Sequence, residues 1–224
     1  MAVEEGGVPA AGNPGERARE AAGPDAAFWQ RRFESGETPW DRGKAGPQLQ
    51  RWLADGTIDA DAGTIAVPGC GSGHEVTLLA AAGCRVVAID YAPAAVAITR
   101  QRLQSLGLQA EVAQADVLSW QPAAPLDAVY EQTCLCALHP DRWHVYAARL
   151  HGWLRPGGRL FALFMQSARD GGADGFIEGP PYHCHIHGMR ALFPEPDWEW
   201  PRPPYPRVVH PSGSYELGLI LTRR

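Results

Sequence analysis

Short runs of aliphatic and β-branched residues alternate along this chain with longer segments whose apolar residues recur at helical spacing. The short runs have the length and composition of buried strands: 63–67, 85–89, 110–113, 126–130 and 159–165. The segments between them predict helices: 75–82, 94–106 and 140–154. Strands that alternate with helices in this order predict an α/β domain with a mainly parallel sheet.

The periodicity also predicts which helix faces are buried. In helix 94–106, ended by Gly107, the predicted buried residues are Ala95, Val96, Ile98, Leu103 and Leu106. In helix 140–154, broken by residues 156–158, they are Trp143, Tyr146, Ala147, Leu150 and Trp153 or Leu154. The runs 198–200 and 215–221 predict two final strands, and the proline-rich connection between them favours an antiparallel pair.

Two further helices are predicted ahead of the first strand. Asp25 is a suitable N-cap for a helix that includes Phe28, Trp29 and Phe33, and segment 46–54 predicts the second helix. Residues 1–24 have almost nothing to bury and are expected to form a disordered tail. A chain of 224 residues is then long enough for one domain, at 25–224.

Composition narrows the classes of partner. A formal net charge of −5 argues against a basic face for nucleic acid or membrane lipid. No run approaches the roughly 20 apolar residues of a membrane span, and the N-terminus lacks a signal-peptide core. The 5 cysteines favour free thiols in a reducing compartment, and the preference for arginine over lysine is typical of GC-rich bacterial genomes. A cytoplasmic bacterial monomer without nucleic-acid or membrane partners is therefore expected.

A glycine-rich turn follows the first strand and opens the next helix. It contains Gly69, Gly71 and Gly73, a layout that brings backbone amides and a helix N-terminus to a polar ligand. The second predicted strand ends in Asp90, where an acid can accept hydrogen bonds from both hydroxyls of an adenosine ribose. The glycines alone are also compatible with a tight structural turn, but together with Asp90 they predict a nucleoside-cofactor site.

The wider pattern resembles the thiopurine S-methyltransferase family, which includes related halide and thiol methyltransferases. The matching motifs are Thr38-Pro39-Trp40-Asp41, Val67-Pro68-Gly69-Cys70-Gly71-Ser72-Gly73-His74-Glu75-Val76, Ile89-Asp90-Tyr91, Tyr130-Glu131-Gln132-Thr133-Cys134, Leu154-Arg155-Pro156-Gly157-Gly158 and Gly179-Pro180-Pro181-Tyr182. The resemblance covers about residues 25 to 221. It implies S-adenosyl-L-methionine as cofactor and S-adenosyl-L-homocysteine as product.

The same resemblance implies a fold and a lid. The fold is the Rossmann-like class I methyltransferase fold: seven strands in the order 3-2-1-4-5-7-6, helices on both faces, and the last strand antiparallel. Segment 25–45 is expected to close over the cofactor, and the loop 179–187 is expected on the substrate side. The stretch 170–175 is rich in glycine and therefore flexible enough to be a lid. Trp40 is either a cation–π partner of the sulfonium or a packing residue.

The predicted cofactor contacts are Trp29, Trp40, Pro68, Gly69, Cys70, Gly71, Gly73, Glu75, Asp90, Tyr91, Asp116, Val117, Glu131 and Gln132. The resemblance implies that Asp116 accepts a hydrogen bond from the adenine amino group, although it can also be a turn cap. No residue is assigned a certain catalytic role, and the positioning candidates are Trp40, Glu131, Tyr182 and His185.

The cluster His183, Cys184, His185 and His187 has poor spacing for a tetrahedral metal site, so no metal is predicted. These side chains are expected to line the substrate pocket or to be exposed, and His185 is an alternative base.

The expected activity is methyl transfer to a small soft nucleophile, preferably a thiol. The tip of the fourth strand lacks the Asn- or Asp-Pro-Pro-Tyr motif that amide and amine chemistry uses, and no strong base is recognisable. O- or N-methylation of a small metabolite, and methylation of halide, selenium or tellurium compounds, stay open as alternatives. A nicotinamide oxidoreductase is disfavoured by the glycine spacing, and a non-catalytic cofactor-binding regulator is a more remote alternative.

Overall fold

The computed structural model describes residues 23–167, 179–210 and 213–224. The helices are α1 Ala26–Ser35, α2 Pro47–Ala54, α3 His74–Ala81, α4 Pro93–Leu106, α5 Cys134–Ala137, α6 Trp143–Trp153 and α7 Ile186–Leu192. The strands are β1 Thr64–Pro68, β2 Arg85–Asp90, β3 Glu111–Gln114, β4 Leu126–Gln132, β5 Leu154–Gln166, β6 Trp198–Glu199, β7 Arg207–Val209 and β8 Tyr215–Arg223. Most of the predicted tail and the stretch 170–175 lie outside these described residues.

The strands form one sheet in the order β3-β2-β1-β4-β5-β8-β6. Strands β1 to β5 are parallel, and β8 is inserted antiparallel between β5 and β6. The predicted order is therefore confirmed, but the predicted count of seven strands is wrong. The eighth strand, β7, pairs with β8 over three residues, of which only Val208 is buried. So short a segment has no hydrophobic alternation by which the sequence could reveal it.

Both faces of the sheet are buried. On β1, Ile65 and Val67 belong to the hydrophobic cluster that includes Leu49 of α2, whereas Ala66 belongs to the cluster around Leu150 of α6. This alternation follows from the period of two along a strand, and it explains why the strands are almost continuously apolar in sequence. The prediction of helices on both faces is thereby confirmed.

Helix ends follow local chemistry. The Asp25 carboxylate accepts a hydrogen bond from the Phe28 amide at 2.8 Å, which confirms the predicted N-cap of α1. Gly107 ends α4 in the left-handed region. The predicted burial of Leu106 is wrong: it is the last residue of α4, and its side chain is 58% exposed.

Helix α6 is shorter than predicted at both ends. Residues Pro140–Arg142 form a 3-10 turn ahead of it, and β5 begins at Leu154, directly after the helix. The register between β4 and β5 shifts just beyond this point, where the glycine pair at 157–158 lies. Within the described part of the chain, no helix has the length and apolar character that crossing a membrane would require.

The two leucines give a matched test of this packing. Leu150→Ala should lower the free energy of unfolding by about 2–5 kcal/mol, because Leu150 is fully buried and its removal leaves a cavity. Leu106→Ala should change it by no more than about 0.5 kcal/mol, as expected at an exposed position. Urea denaturation of both variants measures this, and equal losses would contradict the assignment of the buried faces.

Candidate active site

The loop between β1 and α3 is held in a conformation that requires glycine. Gly69, Gly71 and Gly73 have φ values of 60°, 52° and 74°, all in the left-handed region. Space is limited as well, because a Cβ at Gly73 would come within 2.7 Å of the Thr99 hydroxyl. The loop therefore presents bare backbone to the carboxyl edge of the sheet, as the sequence predicted.

Asp90 ends β2 beside this loop. Its side chain is buried and accepts hydrogen bonds from the amides of Gly71 at 3.0 Å and Ala92 at 2.9 Å. Burial raises the pKa of Asp90, although these amide bonds oppose the shift. Each oxygen retains a further lone pair, so the carboxylate can accept bonds from a ligand while it holds the loop.

The predicted residues on the β2–β3 side are closely grouped. The amide of Ala115 donates to the carbonyl of Asp90 at 2.9 Å, which brings the segment after β3 to the end of β2. Asp116 is exposed, and its carboxylate accepts from the amide of Leu118 at 2.9 Å, so it does cap a turn. Its contact with adenine stays a prediction. Val117 is buried in the hydrophobic core.

An aromatic lid, formed by α1 and the loop that follows it, lies against the glycine loop. The Trp40 ring lies 5.2 Å from Trp29 and 6.0 Å from Phe33, both in edge-to-face contact. Phe33 is so close to Gly71 that a Cβ there would come within 3.4 Å of the ring. Trp40 therefore packs within the lid and also lines the cleft described below.

Polar contacts join this lid to the glycine loop. The His74 ring lies 3.0 Å from the Asp41 carboxylate, which also accepts from the Gly43 amide at 2.7 Å. Burial would raise the pKa of Asp41, but the hydrogen bonds from Ser72 and Gly43 and the charges of His74 and Arg102 lower it overall. Sequence analysis did not assign Asp41 or His74 to the site, although both lie in the motifs that it recognised.

The half-buried Glu75 and the buried Glu131 each hold a neighbouring backbone segment. Glu75 accepts from the amide of Gly46 at 2.9 Å, where the lid loop enters α2. Glu131, which is 1% exposed, accepts from the amide of Leu135 at 2.7 Å and so supports α5. Burial raises the pKa of both carboxyls, that of Glu131 to about 7. Both are predicted site residues whose visible contacts are with the protein backbone.

A polar network lies at the tip of β4. Gln132 accepts from the Tyr130 hydroxyl at 2.7 Å and donates to Glu216 of β8 at 2.9 Å. Arg42 lies 3.4 Å from the same Glu216 oxygen and donates to the carbonyl of Val209 at 2.8 Å. Sequence analysis did not assign Arg42, Tyr130 or Glu216 to the site. For Glu216, the one available signal was an acid among the apolar residues of the last strand.

Strain accompanies this network. Thr133 follows Gln132 with φ 66°, in the left-handed region that β-branched residues rarely adopt. Its hydroxyl donates to the Gln132 carbonyl at 2.6 Å. Backbone strain of this kind, of about 1–3 kcal/mol, is concentrated at functional sites in proteins.

A cleft of about 70 Å³ lies between the lid, the glycine loop and the tip of β4. The predicted residues that line it are Trp40, Gly69, Cys70, Gly71, Glu75 and Gln132. The lining residues that sequence analysis did not assign include Asp41, Arg42, Lys44, His74, Tyr130, Thr133 and His210. Trp29, Pro68 and Asp90 lie directly behind this lining, through their contacts with Trp40 and the glycine loop.

Of the four positioning candidates, only Trp40 lines this cleft among the described residues, and Glu131, Tyr182 and His185 do not. The Tyr182 side chain is buried against His139, with ring centroids 5.5 Å apart, and its amide donates to Cys136 at 2.7 Å. His185 is exposed and caps α7 by accepting from the amide of His187 at 3.3 Å. Among the described residues, no group of three or more histidines, cysteines or carboxylates is arranged to bind a metal ion.

All five cysteines are free and buried: Cys70, Cys84, Cys134, Cys136 and Cys184. Burial raises the pKa of every one of these thiols.

The model of the thiopurine S-methyltransferase family matches residues 24–202. The chain belongs to this family. It is 30% identical to the probable thiol methyltransferase 2 of Arabidopsis thaliana, over 70% of this chain and 67% of that protein. It is 28% identical to the thiopurine S-methyltransferase of Bordetella parapertussis, over 75% of this chain and 81% of that protein.

Solved structures support the same fold. The 1,6-didemethyltoxoflavin-N1-methyltransferase of Burkholderia thailandensis, solved with S-adenosylhomocysteine, matches with a TM-score of 0.67 at 21% identity, over 97% of this chain and 92% of that one. Family and fold together make this chain an S-adenosylmethionine-dependent methyltransferase. The glycine loop and Asp90 fit that cofactor, because bare backbone and a buried acid with spare lone pairs meet at one edge of the sheet.

The raised pKa of Glu131 predicts that the free energy of unfolding depends on pH. Between pH 4.5 and about 7, Glu131 keeps its proton in the folded protein but releases it in the unfolded chain. The free energy of unfolding should therefore fall as the pH rises through this range. Glu131→Gln should flatten that fall, since an amide oxygen can still accept from Leu135 without a charge. Urea denaturation at several pH values tests this, with the exposed Glu111→Gln as surface control, and an unchanged slope in Glu131→Gln would contradict it.

Proposed function

We propose that this protein transfers a methyl group from S-adenosylmethionine to the sulfur of a small thiol. The observation that supports this most directly is the cleft itself, which combines an aromatic lid with hydrogen-bond donors at the tip of β4. The carboxylates of its lining are already engaged, Asp41 with His74 and Glu75 with the Gly46 amide. A soft nucleophile suits such a site, because a useful fraction of a thiol is ionised near neutral pH.

The names of several relatives support the same class of acceptor. They describe thiol, thiocyanate and thiopurine methyltransferases, whereas a relative from Azoarcus sp. is named a trans-aconitate 2-methyltransferase. An anionic acceptor such as thiocyanate or a halide is a second candidate. It is favoured by Arg42 and Lys44, whose cationic side chains line the cleft.

In the proposed complex, Asp90 accepts hydrogen bonds from the ribose hydroxyls, and the amides of the loop from Gly69 to Gly73 face the rest of the cofactor. The β2–β3 side, with Tyr91 and Asp116, holds the adenine. When bound, S-adenosylmethionine supplies an activated methyl group on a sulfonium. The protein contributes alignment and the exclusion of water, and the Trp40 ring borders the cleft where a cation would be stabilised.

The lid has a structural basis in α1. Its Gln30 side chain accepts from the amide of Ala94 at 2.9 Å, at the start of α4, and Phe33 covers Gly71. A cleft of about 70 Å³ is smaller than the roughly 300–1,000 Å³ of ordinary ligand pockets, so we infer that the lid opens to admit the cofactor and closes afterwards. The net charge of −5 and the buried free thiols support a small-molecule acceptor and a cytoplasmic site of action.

Asp90→Ala tests the cofactor assignment. Loss of a charged acceptor should weaken S-adenosylmethionine binding at least tenfold, since each such bond is worth about 1.5–3 kcal/mol. Isothermal calorimetry measures the affinity, and a thermal melt confirms that the variant is folded. Asp61→Ala, at an exposed position, is the control, and unchanged affinity in a folded Asp90→Ala protein would contradict the assignment.

Matched acceptors test the substrate class. A thiol and the phenol or amine of the same skeleton are compared by release of S-adenosylhomocysteine across pH. The thiol should be the faster acceptor, and its rate should rise with its thiolate fraction. A phenol or amine that outpaces its thiol analogue would overturn the proposal, and a thiocyanate or iodide rate above that of every thiol would favour the second candidate.

A further inference from the structure

Glu216 is a carboxyl group in an unusual place. It lies near the start of β8, paired with Met165 of β5 on one side and Val208 of β7 on the other, and its side chain has no exposure to solvent. One oxygen, Oε2, receives both contacts described above, from Gln132 and Arg42. The other, Oε1, has no hydrogen-bond partner among the described residues. A buried unpaired carboxylate oxygen is costly, so a group of this kind needs a reason to be there.

The strand order places Glu216 on the acceptor side of the site. Asp90, the proposed ribose ligand, lies on β2, and the glycine loop follows β1, so the reactive end of the cofactor is expected near the tip of β4. The sheet continues from β4 through β5 to β8. Arg42 and Gln132 line the cleft, and both side chains contact the Glu216 carboxylate, so they connect it to the cleft.

Arg42 makes the longer of the two contacts with Glu216. Its side chain is 16% exposed, and its 3.4 Å contact with Glu216 is the longest in the network. Gln132, by contrast, is fixed: its oxygen accepts from Tyr130, so its nitrogen must face Glu216 and its second N–H is left to donate elsewhere.

The surroundings of Glu216 bring the pKa of its carboxyl close to that of a thiol. Burial raises the pKa of its carboxyl to about 8, with the nearby Glu131 and Glu75 adding to the shift and the Gln132 bond and Arg42 opposing it. His210 also faces Arg42, and burial together with that cation lowers the pKa of its imidazole to about 4, so it is neutral near pH 8. The Glu216 carboxyl is thus matched to an ordinary thiol, whose pKa is about 8.5.

We propose that Glu216 accepts the proton of the thiol substrate while Arg42 transfers its ion pair from the Glu216 carboxylate to the new thiolate. The S–H bond breaks, its electron pair stays on sulfur, and the proton bonds to the Glu216 carboxylate. The carboxyl becomes neutral and releases Arg42, so the number of charges in the cleft is unchanged. Gln132 supplies a second donor to the thiolate through its free N–H. This inference rests on the proposed function.

Glu216→Gln tests the proposal, because it keeps the shape of the side chain and removes the proton acceptor. At pH 8, kcat/KM for a weakly acidic aliphatic thiol should fall about 100-fold, the low end of general-base effects. The loss should shrink for a more acidic aromatic thiol, and thiocyanate or iodide, which have no proton to lose, should change less than threefold. The rate of the variant with aliphatic thiol should then keep rising with pH as free thiolate forms. Glu199→Gln, an exposed position on the neighbouring β6, is the control.

A second measurement uses the wild-type protein and does not depend on turnover. Binding of an aliphatic thiol at pH 8 in the presence of S-adenosylhomocysteine should produce thiolate absorbance in the ultraviolet and a protonated-carboxyl band in the infrared. Both signals should be absent in Glu216→Gln.

The outcomes separate two failures. The role of Glu216 alone would be overturned if the wild type turned over thiols but Glu216→Gln lost the same factor with every acceptor. It would also be overturned if a thiol bound to the wild type without either spectral signal. Absence of turnover with any thiol would overturn the proposed function itself.

Discussion

Buried and half-buried carboxylates that accept hydrogen bonds from backbone amides hold together the loops around the cleft. Asp90 fixes the glycine loop, Glu75 fixes the entry to α2, Glu131 fixes α5, and Asp41 fixes its own loop through Gly43. Charged acceptors form stronger hydrogen bonds to amides than neutral ones do, and they compensate backbone groups that secondary structure leaves unpaired. The cost is desolvation, which raises the pKa of the most buried members. The site is therefore held rigid by groups whose protonation affects its stability.

The parts of this arrangement that are local in sequence could be predicted from the sequence. The strand, the glycine turn and Asp90 follow one another within a short stretch, and left-handed backbone at Gly69, Gly71 and Gly73 restricts the residue type directly. The alternation of buried strands and amphipathic helices likewise predicted a mainly parallel α/β sheet, whereas the order of its strands was implied by the family resemblance. The exposed position of Leu106 shows the limit of such patterns at a helix end, where periodicity no longer reports burial.

What escaped prediction depends on distant pairs. Arg42 and Glu216 are 174 residues apart in sequence, and neither has a spacing that reveals the other. They meet because β8 is inserted between β5 and β6, which brings the last strand under the lid loop. Tyr182 illustrates the converse: it lies in a recognised motif, yet its side chain packs against His139 outside the cleft. A motif indicates a family more reliably than it indicates where each of its side chains points.

The buried cysteines have a consequence for an enzyme that handles a strong alkylating agent. Cys70 lies within the glycine loop itself, and Cys134 lies against Gly69, so both thiols are close to the place where a reactive methyl group is expected. Nucleophilic attack requires the thiolate, and burial raises the pKa of both groups, which favours their protonated form. Burial therefore disfavours methylation of the protein's own sulfur atoms in competition with those of its substrate.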